Sequence, residues 1–166
     1  ELLVDSPYTA LFDGVLGDLI EVDSGWDQAV EVALGDAVEA LVARDDSSLL
    51  EALEYLRERS GRAGIFPLEW QVGAREPAVD LSGVRGVQGP LADKVRATGP
   101  VATLVARLLH NTFIVDDLAA ALDVLRQHRG LTMRLVTADG QGVDIDGRLA
   151  GGARSDHDDS VLGRGR

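Results

Sequence analysis

The residues able to do chemistry in this chain are few and scattered. Three histidines, His110, His128 and His157, stand far apart, and none keeps a spacing that ligates a metal or activates a nucleophile. A lone histidine at a helix end reads as a cap or surface residue. Asp116-Asp117 offers paired carboxylates, but it precedes an apolar helical run, where capping and dipole stabilisation are the simpler role. Gly83-Val84-Arg85-Gly86-Val87-Gln88-Gly89 has the wrong spacing for a dinucleotide fingerprint, and no Gly-x-x-x-x-Gly-Lys-Ser/Thr loop occurs. That stretch reads as a flexible connection. His157 among Asp156, Asp158 and Asp159 could hold a cation loosely, yet the surrounding segment is polar and aperiodic and reads as a solvated tail. The chain has no cysteine, which removes disulfides, thiolate catalysis and cysteine-based zinc sites. No active site emerges.

Four glycines near the C-terminus carry more information. Leu131, Met133 and Leu135 alternate with Thr132, Arg134 and Val136, the pattern of a half-buried strand. Thr137 to Gly140 supply turn chemistry. A second alternating run then places Val143, Ile145, Gly147, Leu149 and Gly151 on one face, which loses its side chains as it proceeds. Glycine within a strand packs nothing and marks a bulge, a bend or the close approach of another backbone; at the end of a last strand it also fits a plain turn and tail.

The elements that must position these residues alternate between strand-like and helix-like periods, which predicts an α/β or mixed α+β fold. Residues 15–22 read as a strand. Ser24 with Asp27 resembles a capping box, and Trp26, Ala29, Val30, Ala33 and Leu34 form a helical stripe ending at Gly35. Glu39–Ala43 predicts a short strand. Ser48 with Glu51 opens a helix carrying Leu49, Leu53 and Leu56 until Gly61, and Ile65-Phe66 before Pro67 suggests a brief strand. The Gly- and Pro-rich stretch 70–99 reads as a lobe boundary. Beyond it come a helix over 101–110, a strand over 113–115, and a helix capped by Asp116 with Leu118, Leu122 and Leu125 on one side, closed by Gly130.

With 166 residues, 45% hydrophobic and 27% charged, the chain predicts one globular domain or two small lobes sharing a core. Its apolar runs are too short and too often interrupted to cross a bilayer, and the N-terminus lacks the regions of a signal peptide, so an intracellular protein is expected. The start at Glu1 and the Gly163-Arg164-Gly165-Arg166 end suggest a piece of something longer. A net charge of −12 and a pI near 4.5 argue against a general polyanion binder, so any nucleic-acid role needs a local basic patch. Lys94 is the single lysine; arginine supplies the remaining positive charge.

Together these residues resemble the hinge domain of structural maintenance of chromosomes (SMC) proteins. Gly140, Gly147, Gly151 and Gly152 form Gly-x6-Gly-x3-Gly-Gly. Leu19-Ile20-Glu21-Val22 before Ala29 and Ala33-Leu34-Gly35 resembles the opening of that domain, and Ile65-Phe66-Pro67-Leu68 its Phe-x-Pro-Leu-type block. Phe113-Ile114-Val115-Asp116-Asp117-Leu118 with Ala121, and the turn Thr137-Ala138-Asp139-Gly140, agree in order, so the likeness runs from Tyr8 to Gly152.

The resemblance implies a two-lobed hinge fold, each lobe a small sheet with packed helices. Residues 1–13 would lead in from a coiled coil and 14–152 would form the hinge, with lobe one about 14–75, a connection about 76–100 and lobe two about 101–152. Residues 153–166 would be a flexible tail or the returning coil. It implies a non-catalytic dimerisation domain of a bacterial protein, since bacterial members pair with themselves, which joins two subunits into a ring for chromosome condensation and segregation in the cytoplasm, at the nucleoid. ATP and magnesium would belong to a distant head domain, leaving no cofactor here. Strands of one lobe would meet the partner's other lobe, with Gly140, Gly147, Gly151 and Gly152 at the contact and Gly140 chiefly serving the turn. Weak DNA contact would fall to Arg57, Arg59 and Arg62, or to Lys94 and Arg96. The alternative is a small α/β ligand-binding or enzymatic domain using the glycine-rich region between the lobes.

Overall fold

The computed structural model describes residues 12–44, 49–60, 64–73 and 76–151. The expectations for Ser48, Gly61, Arg62, Gly152, residues 1–11 and the 153–166 tail lie outside these. Along the described chain run β1 (Phe12–Val15), β2 (Glu21–Val22), α1 (Asp27–Leu34), β3 (Leu41–Ala43), α2 (Leu49–Ser60), β4 (Ile65–Pro67), β5 (Val87–Pro90) and β6 (Val95–Arg96). Then follow α3 (Gly99–Leu108), β7 (Thr112–Val115), α4 (Leu118–Gln127), β8 (Arg134–Val136), β9 (Gly142–Val143) and β10 (Leu149–Ala150). The fold is a mixture of helices and sheets, as the alternating periods predict.

The helices form where the stripes place them, with local differences at their starts. Ala29, Val30, Ala33 and Leu34 are the buried face of α1, and Gly35 closes it. The cap position is Trp26, with no side-chain hydrogen bond, so Ser24 does not form the capping box. Asp117, rather than Asp116, caps α4, its carboxylate accepting the Ala120 N–H at 2.8 Å. Asp116 instead accepts from Gln88 Nε2 at 3.0 Å. α3 begins with Gly99-Pro100, where proline costs no hydrogen bond because the first-turn N–H has no partner in the helix.

Three strand expectations change. The run 15–22 is not continuous: a 3-10 turn at Leu16–Asp18 splits it into β1 and β2, because Leu16 turns inward to full burial and its N–H donates to Ala40 O at 2.8 Å. The stretch 70–99 is more than a connection, since it supplies β5 and β6. The alternating run 143–151 is not one strand; it folds back on itself, as described below.

Two sheets and a ribbon result. β1-β3-β4 make a three-stranded sheet, β10-β9-β8-β7-β5 a five-stranded one, and β2 pairs with β6 alone. β7 and β8 run parallel through crossover α4, while β8–β9 and β9–β10 are antiparallel hairpins. The centre of the five-stranded sheet is buried on both faces, which is why Thr112 to Val115 are all buried. On one face Phe113, Val115, Leu135 and Val143 pack with Ala121 and Val124 of α4. On the other, Ile114 and Val136 join a cluster that includes Val30 and Leu34 of α1, Leu104 and Val105 of α3, and Leu16 and Val42 near the smaller sheet. α2 covers the smaller sheet through Ala52 and Leu56 against Phe12 and Ala43.

Candidate interaction edge

An outer strand displays unpaired N–H and C=O groups, and proteins usually blunt such edges with proline, bulges or brevity. Among the described residues, the two larger sheets have four outer strands. β1 carries a register shift between Phe12 and Gly14, β4 ends in Pro67, and β5 has both a shift at Val87/Gly89 and Pro90. β10 has neither proline nor irregularity, though it is only two residues long.

The side chains beside that edge are equally open. Paired residues share a face, and Phe113–Leu135, Leu135–Val143 and Val143–Leu149 pair in turn, so one apolar row crosses the sheet from β7 to β10. Phe113, Leu135 and Val143 are buried, whereas Leu149 is 53% exposed at the end of the row. The opposite face shrinks toward the edge, from Ile114 through Val136 and Gly142 to Ala150. Ile145 adds a further 57%-exposed apolar group on the β9–β10 turn.

The turn itself corrects the single-strand reading. Gly147 N–H donates to Asp144 O at 2.9 Å and Asp144 N–H to Arg148 O at 2.9 Å, closing a hairpin that returns Leu149 opposite Val143. Gly147 therefore does not face the same way as Val143 along a strand. Its φ of +85° is the left-handed conformation that glycine adopts without strain, and a Cβ there would meet nothing within 4 Å. Gly140 serves the β8–β9 turn, its N–H donating to Thr137 O at 3.1 Å, and it also lies against α1: a Cβ would come within 3.3 Å of Gln28 Cβ. Gly151 is exposed and borders Gln141. The glycine that sequence reasoning missed is Gly142, whose added Cβ would lie 2.5 Å from Leu135 O.

Asp144 organises the hairpin. Its carboxylate takes the Ile145 N–H at 2.8 Å and Arg134 Nε at 3.0 Å, with Arg148 Nη2 at 3.5 Å. Partial burial pushes its pKa up, but the Ile145 hydrogen bond and the two arginines together outweigh this and hold the carboxyl below its ordinary value. A carboxylate depressed in the folded state stabilises it fully above the unfolded value and loses that contribution as pH falls through the folded one. Acidification below about pH 4 is thus expected to lower the amide protection of the hairpin, relative to the intrinsic exchange rate at each pH, before that of β7, and Asp144→Asn to remove this pH dependence.

The basic candidates sit on separate elements. Arg57 and Arg59 are exposed near the end of α2, and Arg59 lies 4.6 Å above the Tyr55 ring. Lys94 Nζ is 5.3 Å from the Trp26 ring centre. Arg96 pairs with Asp23 and, at 3.5 Å, with Glu21; the Asp23 hydrogen bond foremost raises its pKa. Any phosphate at Arg96 competes with two carboxylates. As for catalysis, His110 Nε2 contacts Glu76 O at 2.8 Å, and its partner is neither Asp116 nor Asp117. Among the described residues no group of three or more His, Cys, Asp or Glu is arranged to hold a metal, and no helix is long and apolar enough to cross a membrane.

Residues 11–125 match the family model of the SMC proteins flexible hinge domain. The chain belongs to the SMC hinge family. It is 33% identical over 155 residues to the chromosome partition protein Smc of Desulfitobacterium hafniense, covering 92% of this chain and 13% of that one. Identity to Smc of Bacillus subtilis is 32% over 160 residues, with the same coverages. This hinge thus spans about an eighth of the relatives' length (13%). The asymmetric dimer of the Geobacillus stearothermophilus SMC hinge domain superposes with a TM-score of 0.77 at 27% identity, covering 92% of this hinge and 62% of that chain. The Pyrococcus furiosus SMC hinge gives 0.71 at 28%, covering 95% and 82%.

Proposed function

We propose that this hinge joins two copies of its own chain, and that β10 is part of the contact. The carrying observation is the apolar row that reaches the open strand and ends on half-exposed Leu149. A partner strand at β10 would satisfy its free backbone groups and cover that side chain. The Geobacillus stearothermophilus dimer supports the reading by analogy. As part of an Smc-type protein, the domain would serve chromosome partition in the bacterial cytoplasm, at the nucleoid, as a structural element without catalysis or cofactor of its own. DNA contact through the exposed end of α2 is a secondary proposal, carried only by Arg57 and Arg59, which are exposed and form no ion pair among the described residues.

Sedimentation equilibrium of the 166-residue chain is expected to give twice the monomer mass of 17.6 kDa at micromolar concentration. A monomer throughout that range would refute the proposal.

A further inference from the structure

β10 is held by two ladder pairs, Leu149–Val143 and Ala150–Gly142, too few to stiffen a hairpin unaided. The turn that carries it has open space on both sides. A cleft of about 330 Å³ separates Ile145 from His110 and Arg107, and a smaller one of about 40 Å³ lies between Arg148 and Val32. Arg134 lines both clefts and bridges them.

Its contacts run from the interior to the turn. Arg134 begins β8, and its side chain is 18% exposed. Nε donates to Asp144 Oδ1 at 3.0 Å, while Nη1 reaches Leu108 O at the end of α3 and Thr112 Oγ1 at the start of β7, both at 3.5 Å. Asp144 passes the constraint on through the Ile145 N–H. A planar, five-donor guanidinium can serve these acceptors together; a lysine ammonium keeps the charge without the fork.

We propose that Arg134 is a positioning residue for self-association: it ties the β9–β10 turn to α3 and β7, and so sets the direction in which β10 meets a second copy. This rests on the reading of β10 as the contact edge. An edge fixed before encounter loses less conformational freedom on pairing, so removing the tie weakens association more than it weakens the fold.

The experiment compares the 166-residue chain with Arg134→Lys and Arg134→Met by sedimentation equilibrium, thermal melting and amide exchange. Both variants are expected to raise the dimer dissociation constant about tenfold or more, with faster exchange at Asp144 and Gly147 and unchanged exchange in α3 and β7. Arg134→Lys is the decisive variant, because it preserves charge and bulk. A dissociation constant unchanged in Arg134→Lys, or a lower melting temperature without a weaker dimer, overturns the proposal. If the parent chain is itself monomeric, the edge reading fails separately; hairpin amides that then exchange alike in parent and variants overturn the positioning role as well, whereas selective loss of their protection upholds the tie to the turn.

Discussion

Gly142→Val is expected to unfold at a much lower urea concentration than the parent chain, or to fail to fold. A Cβ at this position would lie 2.5 Å from the Leu135 carbonyl oxygen, 3.2 Å from Val136 Cγ1 and 3.4 Å from Val136 Cα. The nearest of these is backbone in the middle of a five-stranded sheet, so relief requires β8 and β9 to separate. Forcing extra methyl groups into a packed site costs about 1–3 kcal/mol, and parting a ladder brings the total to roughly 3 kcal/mol or more, a large share of the 5–15 typical of a domain. Gly147→Ala provides the contrast. It meets no atom within 4 Å and loses only its preferred backbone conformation at φ +85°, about 1 kcal/mol. A urea series in which Gly147→Ala is the weaker of the two would show that strand clearance is not what Gly142 supplies.

Leu149→Lys is expected to leave the fold intact and disperse the dimer. Leu149 is 53% exposed in the single chain, so its replacement removes little from the core, and melting of the monomer should shift by less than about 1 kcal/mol. Against a partner the same position would bury its remaining apolar surface, about half of the 1.5–3 kcal/mol of a full side chain in each of the two copies, and lysine would also have to hide its charge. At about 1.4 kcal/mol per decade, the dissociation constant should rise roughly a hundredfold. Sedimentation at a series of concentrations measures it, and an undiminished dimer would place the contact away from β10.

Much of this arrangement is legible in the residues. The α1 stripe of Ala29, Val30, Ala33 and Leu34 is a one-sided helical pattern, and it is buried as such. The β8 region is read less well, because Leu135 and Val136 are both fully buried and no half-exposed face exists there to alternate. The last hairpin misleads for a specific reason. Val143, Ile145, Gly147 and Leu149 keep strand periodicity through a turn, while the stretch 137–149 holds two Asp-Gly pairs, Asp139-Gly140 and Asp146-Gly147, of the kind that favours hairpins. Taking the first as a turn and the second as strand hid the fold-back. Gly142 has no such local mark, since its need for a hydrogen side chain comes from Leu135 across the ladder, a relation fixed only by register. Arg134 was likewise a polar residue on an expected solvent face; its role needs α3, β7 and the turn in place.

The largest buried cluster gathers Leu16, Val42, Leu104, Ile114 and Val136, and so belongs to both larger sheets at once. Mechanically, the protomer is therefore a single rivet rather than a pair of plates on a pivot. A tug delivered to the small sheet is carried through these shared side chains into the large one. In the proposed dimer, load on either sheet of one copy would reach the contact through that one shared core.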